Sequence, residues 1–432
     1  MSSRGFLHIP EPDYDIDERL HQRLIRDLDE PSLRLLDPVR RRERVELAAR
    51  TLAQSLFPAL VGEEREETVS RVVDEIVGLG PIEPLLRDPG ISEVMVNGPD
   101  EIFFERDGII YESSVRFRDG GHILRIIDRI VAALGRHVDE ASPMVDARLQ
   151  DGSRVNVIIP PLAPNSPVLT IRKFRGDRYS MADLIRAGTL TSSMAELLDA
   201  CVRAKVNMVL SGGTGTGKTT LLNALSAAIP ERERIVTIED PIELKLQQRH
   251  VVPLEARPAS IEGRGEVTQR DLVRNALRMR PDRIIVGEVR GSEAFDMMQA
   301  MNTGHEGSLT TVHANSPRDA LGRIENMVLM AGMDLPVLAI REQMASALHL
   351  IVQISRLADG VRRITHVTEI AGMEGQRITL QEIFAFVQRG IDAEGNVIGE
   401  LKPTGIRPAI ATHIREAGID LPDTLFNVAR WG

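Results

Sequence analysis

Between Val206 and Leu225 the chain runs from a short apolar stretch, Val206–Leu210, through a glycine-rich turn into a segment of helical character, Leu221–Leu225. The turn, Gly212-Gly213-Thr214-Gly215-Thr216-Gly217-Lys218-Thr219, spells G-x-x-x-x-G-K-T and is followed by Thr220. A strand, a glycine turn and a helix start in that order restrict the surrounding fold to layered α/β architecture. Glycines let successive backbone N–H groups converge on an anion, and the helix N-terminus reinforces the nest. The motif therefore reads as a cradle for the phosphates of a nucleoside triphosphate. Lys218 is expected to reach the β- and γ-phosphates, and the Thr219 hydroxyl to ligate Mg²⁺.

Composition narrows the rest. With 432 residues, two or three domains are expected. A net charge of −10 and 3% aromatic residues argue against a nucleic-acid channel, which needs a basic groove and stacking platforms. A local basic patch remains at Arg172-Lys173-Phe174-Arg175. The single cysteine, Cys201, excludes an intramolecular disulfide and a four-cysteine zinc site. The N-terminal stretch has no apolar run of signal-peptide type, and nothing approaches roughly 18 uninterrupted apolar residues. A cytoplasmic protein that meets the membrane only through a partner is the expectation.

Along the chain, residues 1 to about 15 read as a poorly ordered lead-in. Charged helical patterns follow around Ile16–Asp29, Asp37–Leu56 and Glu63–Gly78, giving an N-terminal helical bundle or arm over residues 1–78. Short alternating strands around Ile91–Gly98, Glu101–Glu105, Ile109–Tyr111, Met144–Leu149, Ser153–Ile159 and Val168–Lys173, with a helix at Gly120–Leu134, make residues 79–175 an α+β domain. Residues 176–204 form a linker with helices. From residue 205 to 432, strands at Val206–Leu210, Arg234–Ile238, Arg283–Gly287, Ser308–Val312 and His349–Ile354 alternate with helices, as in a parallel sheet. Antiparallel strands at Arg362–Ala371 and Arg377–Phe386 and a short tail complete it.

Three further stretches stand at strand ends, where an open α/β sheet holds its ligand. In Thr237–Glu243, either Glu239 or Asp240 could hold Mg²⁺ directly or through water, and Glu239 could also act in catalysis. In Pro281–Arg290, an apolar strand delivers Glu288, a carboxylate suited to orienting an attacking water. Walker B sequences usually place an Asp at this strand end for Mg²⁺; here Gly287 stands before Glu288. In Gly304–Asn315, His305 and His313 flank a strand, and His313 is the better placed to sense the γ-phosphate, since imidazole both donates and accepts.

These four stations, in this order, resemble the Walker A, Asp, Walker B and His boxes of the secretion and type IV pilus motor ATPases. The resemblance extends to Gly80–Leu86, Ser92–Gly98, Asp151–Asn156, Thr170–Phe174 and Leu277–Asp282, and spans about residues 70 to 390. Within that superfamily the chain looks closest to the Tad (tight adherence) pilus assembly ATPases, CpaF-like, with the type IV secretion traffic ATPases next. The resemblance implies a RecA-like P-loop domain preceded by a PAS-like α+β domain. It also implies a homohexamer at the inner face of the cell membrane, working on an inner-membrane platform protein. Arginines of a neighbouring copy's α+β domain would complete the site: Arg148, Arg154 and Arg172 are the candidates, and Arg290 is another, near Glu288. Hydrolysis would rotate the two domains about Arg175–Ser180. A nucleic-acid translocase and a nucleotide-gated assembly module without turnover are the competing readings.

Overall fold

The computed structural model describes residues 14–28, 33, 35–106, 108–133, 137–149, 151–174, 179–257, 265–332 and 334–427. Most of the lead-in, and residues 175–178 of the expected hinge, lie outside them. The charged N-terminal patterns become helices α1 (Tyr14–Asp27), α2 (Pro38–Leu56) and α3 (Gly62–Val77). Asp37 starts α2: its carboxylate accepts from Val39 N and Arg40 N, and Pro38 occupies the first turn, where no N–H is missed. Val45, Ala49 and Ala53 recur every four residues on α2. They pack with Leu20 and Leu24 of α1 and Val69, Val72 and Val73 of α3.

A short helix, α4 (Glu83–Arg87), leads into strands β1 (Ile91–Val96), β2 (Ile102–Arg106) and β3 (Ile109–Glu112), then helix α5 (Gly120–Ala133). Strands β4 (Met144–Arg148), β5 (Arg154–Ile158) and β6 (Val168–Arg172) complete an antiparallel sheet of order β3-β2-β1-β6-β5-β4. The apolar face of α5, with Ile123, Ile126, Ile127 and Ile130, packs in one cluster with Val94, Val96, Val155, Val157, Leu169 and Ile171 of the sheet. Bundle and sheet belong to one compact unit, residues 1–176.

Residues 177–432 form the second unit. It begins with helices α6 (Met181–Arg186) and α7 (Ser192–Arg203), whose N-termini are capped by Ser180 and Thr191. Then come β7 (Met208–Ser211), α8 (Lys218–Ser226), β8 (Ile235–Glu239), β9 (Val251–Glu255), α9 (Gln269–Ala276), β10 (Arg283–Val286), α10 (Glu293–Asn302) and β11 (Leu309–Val312). Helices α11 (Pro317–Met330) and α12 (Val337–Ala347) precede a meander of β12 (Leu350–Arg356), β13 (Arg362–Glu374), β14 (Arg377–Ile391) and β15 (Val397–Pro403), and α13 (Ile410–Glu416) follows.

The sheet order is β15-β14-β13-β12-β7-β11-β10-β8-β9, parallel from β12 to β9 and antiparallel from β12 to β15. The parallel strands are apolar on both faces because helices cover both. Met208, Leu210, Ile235, Ile285 and Leu309 face one hydrophobic cluster; Val209, Val236, Ile238, Ile284 and Val286 face the other. Six segments thus leave the carboxyl edge of the parallel sheet, those after β12, β7, β11, β10 and β8 side by side and that after β9 at its end. No described helix is long and apolar enough to cross a membrane.

Candidate functional site

The turn after β7 is held open by its own covalent geometry. Gly215 and Gly217 adopt φ of +70° and +99°, which a β-carbon would strain. A β-carbon on Gly212 would lie 2.4 Å from Ile354 O and 2.7 Å from Thr216 Oγ1, so no larger residue fits. Among the described residues, the backbone N–H groups from Gly213 to Thr219 have no hydrogen-bond acceptor, although a chain normally pairs such groups. Consecutive unpaired donors at the start of α8 suit a phosphate chain.

Lys218 enters this nest from the first turn of α8. It is buried and its ammonium forms no ion pair among the described residues; Nζ donates to Gly212 O at 3.0 Å and Gly213 O at 2.8 Å. Burial pushes its pKa below the ordinary lysine value, opposed by the charges of Glu288 and Glu243. A desolvated cation over unpaired N–H groups is the electrostatic complement of a polyanion.

Glu288 lies two residues beyond β10, in a segment fixed by Gly287 N donating to Ile238 O and Val289 N donating to Thr311 O. Its Oε1 is 2.9 Å from His313 Nε2 and its Oε2 accepts from Arg290 Nη2 at 2.8 Å. The His313 pKa is lowered, first by burial and then by the charges of Lys218 and Arg290, against the pull of Glu288. The neutral imidazole therefore donates Nε2–H to Glu288. Its ring nitrogens lie 3.5 Å from Lys218 Nζ. Lys218, Glu288, Arg290 and His313 thus converge from three different turns.

His305 stands apart. It precedes β11, at the amino edge of the sheet, while His313 follows that strand at the carboxyl edge.

Glu239 ends β8 almost fully buried, its Oε2 accepting from Glu243 N at 2.7 Å and Leu244 N at 2.9 Å. The carboxylate organises the turn that carries Asp240 and Glu243. It also explains Gly287: a β-carbon there would lie 2.8 Å from Glu239 Cγ. The space of the usual strand-end Asp is taken by the neighbouring strand's glutamate. Thr219 Oγ1 donates to Glu243 Oε2 at 3.3 Å. Asp240 and Glu243 both raise the Arg290 pKa, so they lie within electrostatic reach of it. Glu243 was not singled out from sequence; only its place three residues past Asp240 hinted at it.

The donor set can accommodate Mg²⁺ in the way that ion prefers, through one or two protein oxygens plus phosphates and water. Among the described residues no group of three or more His, Cys, Asp or Glu could enclose a metal on its own. Thr219, with Glu243 and the Glu239–Asp240 turn beside it, supplies oxygen atoms only.

In the first unit, Arg148 pairs across the sheet with Arg154, and Arg154 with Arg172, which pairs in turn with Glu93. Directly opposed residues share a face, so three guanidinium groups form one row. Like charges placed opposite one another cost stability unless an anion or a packing partner offsets them. Arg148 is partly relieved by its 5.7 Å stack on Phe174 and by donating to Gly152 O at 3.2 Å.

A family model described as type II/IV secretion system protein matches residues 75–390. A Mycobacterium tuberculosis protein named for conjugal transfer is 40% identical over 308 residues, covering 70% of this chain and 87% of its own. PtlH, a type IV secretion system protein of Bordetella pertussis, is 35% identical over 317 residues, 66% of this chain and 91% of its own. Among solved structures, the VirB11 ATPase of the Brucella suis type IV secretion system is 31% identical, covering 66% of this chain and 94% of that one, with a TM-score of 0.36. The glycine nest on β7, the carboxylate past β10 and the histidine past β11 are the furniture of a RecA-like P-loop domain, and with the family match the chain belongs to the type II/IV secretion system protein family.

Proposed function

We propose that the chain is a Mg²⁺-dependent ATPase and that its hydrolysis powers assembly of a Tad or type IV-like pilus, or of a secretion pseudopilus. The observation that carries the enzymatic part is the convergence of Lys218, Glu288, Arg290 and His313 beside a run of unpaired N–H donors. The phosphates seat on the N–H groups of Gly213–Thr219, and Lys218 leaves the carbonyls of Gly212 and Gly213 for them. Thr219, with Glu243, Asp240 and Glu239 close by, would hold Mg²⁺, which neutralises charge on the β- and γ-oxygens when bound. Glu288, oriented by His313 on one oxygen and Arg290 on the other, takes a proton from the attacking water as water adds to the γ-phosphorus and ADP departs. His313, in touch with both Lys218 and Glu288, relays the loss of the γ-phosphate to the turn after β11.

In this reading the active form is a homohexamer. The row of Arg148, Arg154 and Arg172 from an adjacent copy stabilises the charge developing on the γ-phosphoryl. The ring works in the cytoplasm against an inner-membrane platform protein and takes no stable nucleic acid. The helical segment before Gly78 favours the pilus assembly branch. The relatives named for conjugal transfer and type IV secretion favour a type IV secretion ATPase instead, and the catalytic assignments are the same for both. Phosphate release from Mg-ATP tests the enzymatic reading: the wild-type chain should turn over and Lys218→Ala should lose at least about 100-fold of that rate. Equal rates in the two would refute it. Co-purification with a polytopic pilus platform or with a secretion channel separates the two branches.

A further inference from the structure

Just past the turn between β12 and β13 a second cationic side chain, after Lys218, meets the phosphate loop. Arg362 opens β13, and its Nε donates to Gly215 O at 2.9 Å. Its stem lies along the loop: a β-carbon on Gly217 would lie 3.3 Å from Arg362 Cδ. Arg362 is exposed, yet its guanidinium forms no ion pair and no second hydrogen bond with the described residues. Two other arginines of this unit are ion-paired. Arg363 is tied to the Asp359 carboxylate at 2.7 Å, and Arg290 is bound to Glu288.

The bond to Gly215 has a consequence fixed by peptide geometry. In a trans peptide the C=O and the following N–H point to opposite sides. A Gly215 carbonyl held on Arg362 therefore turns the Thr216 N–H to the other side, and that N–H has no acceptor among the described residues. Gly215 reaches this plane only through its positive φ, a conformation glycine leaves as readily as it enters. A brace from outside the loop removes that freedom before a ligand arrives, and pre-ordering of this kind appears as affinity. The uncancelled positive charge acts in the same direction toward an anion.

We propose that Arg362 is a positioning residue for the nucleotide phosphates, bracing the loop at Gly215 from the C-terminal meander and adding positive charge beside it. The inference rests on the nucleotide reading of the loop. Its brace is itself anchored: Asp359 accepts from Val361 N at 3.0 Å, from Arg363 and from Val397 N at 3.1 Å, joining the turn to the start of β15. A pull on the meander is thereby felt at the phosphate loop.

Calorimetric titration with Mg-ADP and steady-state hydrolysis of Mg-ATP test it on the full chain. Arg362→Ala should raise Kd and KM about tenfold while kcat stays within about twofold, the pattern of lost ground-state binding. Arg362→Gln keeps an N–H donor for the Gly215 carbonyl without the charge, and should fall between the two. If Arg362→Ala melts well below the wild type, Arg362→Gln carries the test, with an expected rise of about threefold. Kd and KM within about twofold of the wild type in both variants, or a loss confined to kcat, would overturn the proposal. The two readings fail separately. Absence of Mg-ADP binding to the wild type ends the nucleotide reading and this inference with it. Binding that Lys218→Ala abolishes and Arg362→Ala leaves intact ends this inference alone.

Discussion

At the scale of single residues, the chemistry turns on where protons sit. The lowered pKa of His313 keeps its imidazole neutral at and above its ordinary titration range, so that it donates to Glu288 as an uncharged partner. Protonation would bind Glu288 as an ion pair and set a second cation beside Lys218. Because the shift is downward, the neutral form persists to below about pH 6.5. The kcat profile should therefore be flat from about pH 8 down to about 6.5 and fall only below it. His313→Gln, uncharged throughout, should be slower but lack that acid limb. An inflection clearly above 6.5 that disappears in His313→Gln would show the shift to have the opposite sign. In the neighbouring turn Glu239 is committed to two backbone N–H groups, so the half-buried Glu243, which accepts from Thr219, is the carboxylate of that station that reaches the phosphate loop.

At the scale of elements, the parallel strands show how glycine is used away from the ligand edge. Gly307 precedes β11 with φ +81°, and a β-carbon there would lie 2.6 Å from Arg283 Nη1 and 3.0 Å from Lys205 Cα. Arg283 is fully buried, paired with Glu233, and donates to Gly307 O, so it has nowhere to retreat. Gly304 has a similar φ of +93° but nothing within 4 Å. Gly304→Ala should cost about 1 kcal/mol in urea unfolding and Gly307→Ala at least about 2 to 3. Equal losses would mean that backbone strain, not the buried arginine, sets the penalty. Much of this layout was readable in advance. Strands β7, β8, β10, β11 and β12 are dense in Val, Ile and Leu because both their faces are covered, and a short apolar run between turns is then unambiguous. The edges were not readable. Strand β9 is Val251-Val-Pro-Leu-Glu, and Pro253 conceals a strand that needs only one partner, β8. Strand β15, with Gly399 inside it, lies in the expected tail, and β14 runs on past Phe386 to Ile391 only because β15 pairs with it. The site followed the same division. Gly212–Thr219 is contiguous in sequence and legible. The Thr219–Glu243 contact, the Glu239 side chain under Gly287 and the reach of Arg362 to Gly215 arise from folding back and leave no local mark.

At the scale of the whole molecule, the chain divides into a helix-and-sheet unit carrying an arginine row and an α/β unit carrying the phosphate loop. If the row of one copy serves the loop of the next, activity belongs to a pair of copies rather than to a single chain. Titrating Lys218→Ala into wild-type chain should then depress activity more steeply than dilution. Mixtures of Lys218→Ala with Arg154→Ala should recover part of the rate that each lacks alone, since one site in the ring regains both parts. A strictly linear decline with no recovery would place the complete machinery within one chain. Beneath that question of assembly lies the chemistry at Glu288, and one comparison addresses it most directly: Glu288→Gln keeps the size and shape of the side chain and one acceptor oxygen while removing its basicity. The account predicts that this variant binds Mg-ATP with a Kd within about threefold of the wild type while its phosphate release falls by at least about 100-fold. Phosphate release within a few-fold of the wild type would contradict it.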